Sequence, residues 1–361
     1  MPPKRIACFV SPHGFGHAAR AAAVMEALSQ SDKALQFEIF TTVPSWFFQD
    51  SMSAQFGYHK LTTDIGLVQK NAFQTDVENT LRALEDFYPP ATSLIGKITE
   101  KIRRLHCDLI VCDIAPIGIL AAKEAMKPSI LIENFTWDWI YQPYAATDSR
   151  ITRYIKYLQP IFNAADYHIQ TAPVCRRNSA DFVSAPVSRK IKSTGSEIRR
   201  RLKISADNKM VLVTTGGIPQ GYGFLENLDS LTEITFVMPG AGPEIKMSNN
   251  LIILPHRSEF YHPDLVYAAD AVVGKVGYST LAEVYHAGIP FGYVTRSDFR
   301  ESETMEQFIQ EHMFGIPVSE SEFNSGHWTA KLGNLLDLAC VKPDIANGAD
   351  QISRFIEEEF S

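Results

Sequence analysis

The stretch from Ala268 to Arg296, AADAVVGKVGYSTLAEVYHAGIPFGYVTR, decides the fold. Ala271-Val272-Val273 is an apolar run of strand type that leads into Gly274-Lys275-Val276-Gly277. Leu281 to His286 reads as a helix that stops at Gly288, and Ile289 to Val294 is the next strand. Strand, glycine turn, helix, strand is a βαβ unit, which implies a parallel sheet. Glycines between strand and helix let a ligand come close to the backbone, and the helix start offers N–H groups and the positive end of its dipole. Lys275 adds charge there, and Ser279 and Thr280 add hydroxyl donors, so the turn suits an anion, most simply a phosphate. The same residues also suit a plain capping box, Thr280-Leu281-Ala282-Glu283, in which Glu283 only ties off the helix. The stretch contains neither GxxxxGK[ST] nor GxGxxG.

Outward from this unit, the alternation continues in both directions. Arg5 to Val10 is an apolar strand that opens onto Ser11-Pro-His13-Gly-Phe-Gly16-His17-Ala-Ala-Arg20, with a helix to Leu28. Phe37–Thr42, Leu109–Cys112, Ser129–Ile132 and Tyr167–Gln170 read as further strands of a first half. Phe182–Val187, Met210–Thr214, Ile234–Met238 and Leu251–Leu254 read as strands of a second half. Strands alternating with helices in both halves predict an α/β chain of two doubly wound, Rossmann-like domains. The expected division is 1–172, 173–345, and a last segment, 346–361, carrying an amphipathic helix over Gln351–Phe360.

Composition narrows the function. A chain of 361 residues is long enough for two domains at roughly 100–200 residues each. The net charge of −7 argues against a nucleic-acid partner. The five cysteines, Cys8, Cys107, Cys112, Cys175 and Cys340, are scattered and form no CxxC. That usage is expected of a protein of the reducing cytoplasm. No apolar run approaches the length of about 18 residues needed to cross a bilayer, and a strand so close to Met1 argues against a signal peptide. The histidines form no HExxH and no Asp-x-Asp occurs, so no metal is expected.

Ligands of open α/β sheets bind at the carboxyl ends of strands. His13, His17 and Asp113 lie at such ends in the first half. A carboxylate beside an imidazole fixes its tautomer, and the pair can act as a general base on a hydroxyl group. A loop histidine can equally do no more than bond a carbonyl, and the residues alone leave that open.

The opening stretch resembles the nucleotide-binding half of the GT-B glycosyltransferases, in which a Gly-x-x-(S/T)-x-x-Glu turn holds a sugar nucleotide. The likeness is greatest to the glycosyltransferase-like N-terminal part of plant L-arabinokinase. There a G-K-x-G-Y-x-T-x-x-E turn precedes R-x-x-F-x-E, as in Arg296-Ser-Asp-Phe299-Arg300-Glu301 here. Gly14-Phe-Gly16-His17-Ala-Ala-Arg20 is similar to the GxGHxxR turn of several GT-B families, and Asn134-Phe-Thr-Trp137-Asp138-Trp-Ile-Tyr141 to the N-F-S-W-D-F-I-Y segment of the arabinokinase group. The resemblance implies two domains facing a cleft, with the last helix returning to the first. It implies His17 as base, with His13 as second candidate, and Asp113 as its assistant. Nucleotide contacts fall on Gly216, Gly217, His256, Arg257, Lys275, Gly277, Tyr278, Ser279, Thr280 and Glu283, the last toward the ribose. Sugar or acceptor contacts fall on Gly16, Trp137, Asp138, Arg300 and Glu301, with the aromatic rings of the segment suited to stacking on a sugar face and Phe135 and Trp139 equally suited to the core. Related transferases carry a D/N-Q pair for the donor sugar where this chain has Arg300-Glu301 and Glu303. The implied activity is metal-independent, inverting transfer from a nucleotide sugar, with UDP the expected nucleotide, no further cofactor, and a small-molecule, glycan or lipid acceptor. Hydrolysis of a nucleotide sugar, or its binding without turnover, would use the same residues.

Overall fold

The computed structural model describes residues 4–71, 73–215 and 225–360. Two compact units emerge: the described parts of Met1–Val68, Thr75–Ser188 and Ala346–Ser361, and the described parts of Gln69–Gln74 and Arg189–Ile345.

The first unit is built on seven strands: β1 (Arg5–Val10), β2 (Gln36–Thr41), β3 (Phe56–Lys60), β4 (Leu109–Asp113), β5 (Ser129–Glu133), β6 (Tyr167–Thr171) and β7 (Phe182–Ser184). They lie in the order β3-β2-β1-β4-β5-β6-β7, each pair parallel. Every residue of β4 and β5 is buried. Continuous apolar runs of this kind belong to parallel strands covered on both faces. Chain order reverses between β1 and β4, whose last residues, Val10 and Asp113, lie side by side. The sequence therefore delivers the turn after β1 and the carboxylate of Asp113 to one point, the switch point where doubly wound sheets bind ligands.

The second unit repeats the plan with β8 (Lys209–Thr214), β9 (Ile234–Gly242), β10 (Lys246–Ser248), β11 (Leu251–Pro255), β12 (Ala271–Lys275), β13 (Phe291–Val294) and β14 (Gly315–Pro317). Their order is β10-β11-β9-β8-β12-β13-β14, with only β10 antiparallel. Here the switch point lies between β8 and β12, so β12 ends beside it in Lys275. The following helix runs over Tyr278–Ala287 and ends on Gly288, whose φ of 67° is the left-handed cap conformation glycine adopts without strain.

Two expectations need correction. The boundary at 172/173 moves to 188/189, because Phe182–Ser184 is the seventh strand of the first sheet and not the first strand of the second half. Its three residues, paired to β6 from Ile169 to Thr171, join the nearest open edge. Thr280 caps nothing: the helix begins three residues earlier than read, its N-cap is Gly277, and no side chain bonds there. The final helix, Gly348–Phe360, belongs to the first unit, where it buries Ala349, Ile352 and Ile356 and stacks Phe355 on Phe182 at 5.2 Å. Each isoleucine so buried contributes about 1.5–3 kcal/mol.

Candidate functional site

In the first unit, Gly14 has a φ of 73° and serves as the N-cap of the helix Phe15–Ser31. That turn places His17 and Arg20 three residues apart, on one face of the first helical turn. Both reach Asp113 at the end of β4. His17 Nδ1 is 3.0 Å from Asp113 Oδ1. Arg20 grips the same carboxylate with both prongs, Nε to Oδ2 at 2.8 Å and Nη2 to Oδ1 at 2.7 Å. Its other amino group donates to Asn134 Oδ1 at 2.7 Å and Thr171 Oγ1 at 3.3 Å. Burial alone would raise the Asp113 carboxyl, but Arg20 and His17 outweigh it and hold it below the usual carboxylate range. An ionised carboxylate only accepts, so Nδ1 carries a proton, and in the neutral ring Nε2 is the nitrogen with the lone pair. Among the described residues Nε2 makes no hydrogen bond. The ring faces a carboxylate already neutralised by arginine and is walled by Phe135 at 5.7 Å and Trp137 at 6.2 Å.

His13 stands apart from this network. Its ring packs edge-on against Trp137 at 5.0 Å, and Gly66 lies so close that an added Cβ would come within 2.3 Å of His13 Nδ1. The Trp137-Asp138 segment takes a different place from the one expected. Phe135, Trp137, Trp139 and Tyr141 are all buried, Trp137 completely, so none presents a ring face for a sugar. Asp138 is buried with them. The physical reason is Asp64, which the sequence reading passed over: Trp137 Nε1 donates to Asp64 Oδ2 at 2.7 Å and draws the ring inward. Burial pushes the Asp64 carboxyl up to about 7, against the pull of its bonds from Trp137 and Ser11. Gly16, by contrast, faces open space, with nothing within 4 Å of an added Cβ.

In the second unit, Glu283 is buried in the middle of its helix. Arg189 donates to Oε1 from Nε at 3.1 Å and Nη2 at 2.9 Å, and His262 Nδ1 lies 2.8 Å from Oε2. Burial opposes ionisation, but Arg189 and His262 prevail and keep the carboxyl below its ordinary range. Neither partner was singled out from sequence. Gly277 again faces open space, and the Ser279 and Thr280 hydroxyls make no hydrogen bond among the described residues. The first intrahelical bond is Leu281 N to Gly277 O, and the N–H groups of Ser279 and Thr280 precede it with no hydrogen bond among the described residues. Tyr278 is buried under this turn, whereas His256 and Arg257 are exposed in the loop after β11. Glu301 is buried and Arg300 half-buried. Gly216 and Gly217 lie outside the described residues. Among the described residues no group of three or more His, Cys, Asp or Glu is arranged to hold a metal ion, and no helix is long and apolar enough to cross a membrane.

No family model matches the chain. L-arabinokinase of Arabidopsis thaliana is 26% identical over 357 residues, which is 98% of this chain and 34% of that protein. The chain thus spans about a third of the relative it matches, corresponding to its N-terminal region. Among solved structures, the glycotransferase of kitacinnamycin superposes with a TM-score of 0.66 at 13% identity, covering 100% of both chains. Medicago truncatula UGT71G1 complexed with UDP-glucose gives 0.63 at 12% identity over 98% of each. A UDP-N-acetylglucosamine 2-epimerase from Listeria monocytogenes gives 0.59 at 13%, covering 100% of this chain and 97% of the other. At such identities the likeness speaks for the fold alone, and that fold also houses an epimerase. With two doubly wound sheets, parallel except for the edge strand β10, and these neighbours, the chain has the α/β fold of the GT-B glycosyltransferases.

Proposed function

We propose that this chain is a glycosyltransferase that takes a nucleotide sugar, most simply a UDP-sugar, and transfers the glycosyl group with inversion and without a metal or other cofactor. The observation that carries the reading is the His17–Asp113–Arg20 network at the switch point of the first sheet, with His17 Nε2 left as a proton acceptor. In the step proposed, Nε2 takes the proton of an acceptor hydroxyl. The new C–O bond forms at the anomeric carbon while its bond to the phosphate oxygen breaks, and the nucleoside diphosphate leaves. Asp113 holds the imidazole in the required tautomer and offsets the charge it gains. The diphosphate rests on the start of the Tyr278–Ala287 helix, where Gly277 leaves room and Ser279 and Thr280 offer hydroxyls. Glu283 meets the ribose, and the loop of His256 and Arg257 faces the base. The arabinokinase likeness extends to the N-terminal region only, and kinase chemistry is not part of this proposal.

The test is a panel of nucleotide sugars, each incubated with the chain alone and with small-molecule, glycan and lipid acceptors. Glycoside formation dependent on an acceptor is the expected result. Rapid release of free sugar without acceptor would make the chain a hydrolase. Binding without turnover under any condition would make it a sensor, and no binding to any nucleotide would end the reading.

A further inference from the structure

Two cations and one carboxylate are buried together past the carboxyl ends of β12 and β13. Lys275 closes β12 and lies beside Val294, the last residue of β13. Arg296 follows two residues later, and Glu301 opens the helix Glu301–His312. Lys275 and Arg296 are each 7% exposed and Glu301 is 6% exposed. The Arg296 guanidinium lies over the Phe299 ring at 3.7 Å, which fixes its plane. Lys275 makes neither a hydrogen bond nor an ion pair among the described residues. A buried ammonium without an acceptor is costly, and burial beside Arg296 pulls Lys275 down to about 7, with Glu301 only partly opposing. Two residues beyond it, Gly277 leaves open space at the helix start.

We propose that Lys275 and Arg296 bind a carboxylate on the sugar of the donor, so that the preferred donor is a nucleotide-linked uronate. This rests on the nucleotide-sugar reading above. The charges decide between the two oxyanions such a donor can offer. The diphosphate has its own partners in the helix-start N–H groups and the Ser279 and Thr280 hydroxyls. Lys275 is buried with no acceptor of its own among the described residues, and a single carboxylate supplies the one negative charge that its ammonium lacks. A guanidinium fork matches a carboxylate in two parallel bonds. A neutral sugar would leave Lys275 buried with no acceptor.

Calorimetric titration of the full chain with UDP, UDP-glucose and UDP-glucuronate tests this. Charge-assisted bonds of this kind predict that the uronate binds on the order of 10–100-fold more tightly than UDP-glucose. Arg296→Gln and Lys275→Met each bring that ratio toward one, and each weakens UDP-glucuronate far more than UDP. The wild-type ratio needs no variant, so a misfolded substitution cannot mask the answer. Equal wild-type affinities for the two sugars overturn the proposal while leaving nucleotide binding intact. An equal loss of UDP and UDP-glucuronate in the variants assigns the cluster to the diphosphate and also overturns it. If no nucleotide binds, the underlying reading falls and this inference with it.

Discussion

Asp113 and Glu283 are the same device built twice. Each is a buried carboxylate held by one arginine and one histidine through Nδ1. They differ in what is rigid. Asp113 ends a strand, and both its partners come from one helix turn, with Arg20 pinned further by Asn134 and Thr171. Glu283 sits within a helix, and its partners Arg189 and His262 come from separate segments, the His262 side chain 27% exposed against 9% for His17. A pinned carboxylate suits a base whose second nitrogen must keep its direction. A carboxylate shared by separate segments can yield one partner to a ligand hydroxyl. Histidine next to carboxylate is therefore not by itself a catalytic sign; the support behind it is.

The largest expected effect breaks or keeps this distinction. His17→Ala lowers turnover by roughly 10²–10⁴-fold, the range for losing general-base assistance. Asp113→Asn is defective in the same step, and donor affinity by calorimetry stays close to wild type in both. His262→Ala, the matching change in the second unit, leaves turnover at saturating donor within a few fold and raises the donor concentration required. Equal losses of turnover from His17→Ala and His262→Ala would erase the contrast, and a loss on His13→Ala alone would move the base.

Next in size is stability. Removing the arginine from either carboxylate leaves an uncompensated buried charge, which costs about 3–5 kcal/mol. Arg20→Met, which also strands the Asn134 and Thr171 acceptors, is expected to be the costlier change, and Arg189→Met, which also loses its packing on the Tyr261 ring, the milder one. Urea unfolding of the two variants measures the order. A smaller loss from Arg20→Met than from Arg189→Met would show that the first network is the looser of the two.

What the chain discloses by sequence and what it hides separate along physical lines. The parallel strands β1, β4, β5, β8 and β12, buried throughout except at the first residues of β1 and β8, are legible because both faces are apolar and the runs are continuous. The edge strands β3, β10 and β14 carry no such signal: β10 is wholly exposed and β14 is three residues ending in Pro317. The meeting of the His13–His17 turn with Asp113 is legible from their places after strands that the switch-point rule brings together, while the preference for His17 over His13 comes from the likeness of Gly14–Arg20 to the GxGHxxR turn. Arg189 and His262 were not legible, since their importance comes only from contact with Glu283, 94 residues from the first and 21 from the second. Trp137 misled because an aromatic cluster after a strand looks the same whether it faces a ligand or the core. The answer lay in Asp64, a lone acidic residue in the loop after β3, whose partner no local pattern reveals.

The smallest effect concerns Lys275, and its sign separates it from both carboxylates. Asp113 and Glu283 are held below their ordinary range, so their contribution is present above the unfolded value near 4 and is lost as pH falls. Lys275 runs the other way. Its folded value is about 7, against about 10.4 for an unfolded lysine, so between these limits the unfolded chain holds the extra proton. Stability therefore rises with pH across that window, by at most about 1.4 kcal/mol per pH unit. Lys275→Met removes the term, leaving Arg296 beside Glu301. Below pH 7 the variant, relieved of a buried charge, is the more stable of the two, and its advantage shrinks as pH climbs from 7 to 9. Urea unfolding of both proteins without nucleotide, at pH 7, 8 and 9, gives the difference directly. Groups common to both proteins, Asp64 at about 7 among them, cancel in the difference, so its slope belongs to the lysine. A difference that stays flat would mean that Lys275 is charged and already neutralised within the protein. Its likeness would then be to the two held carboxylates rather than to a site awaiting an anion.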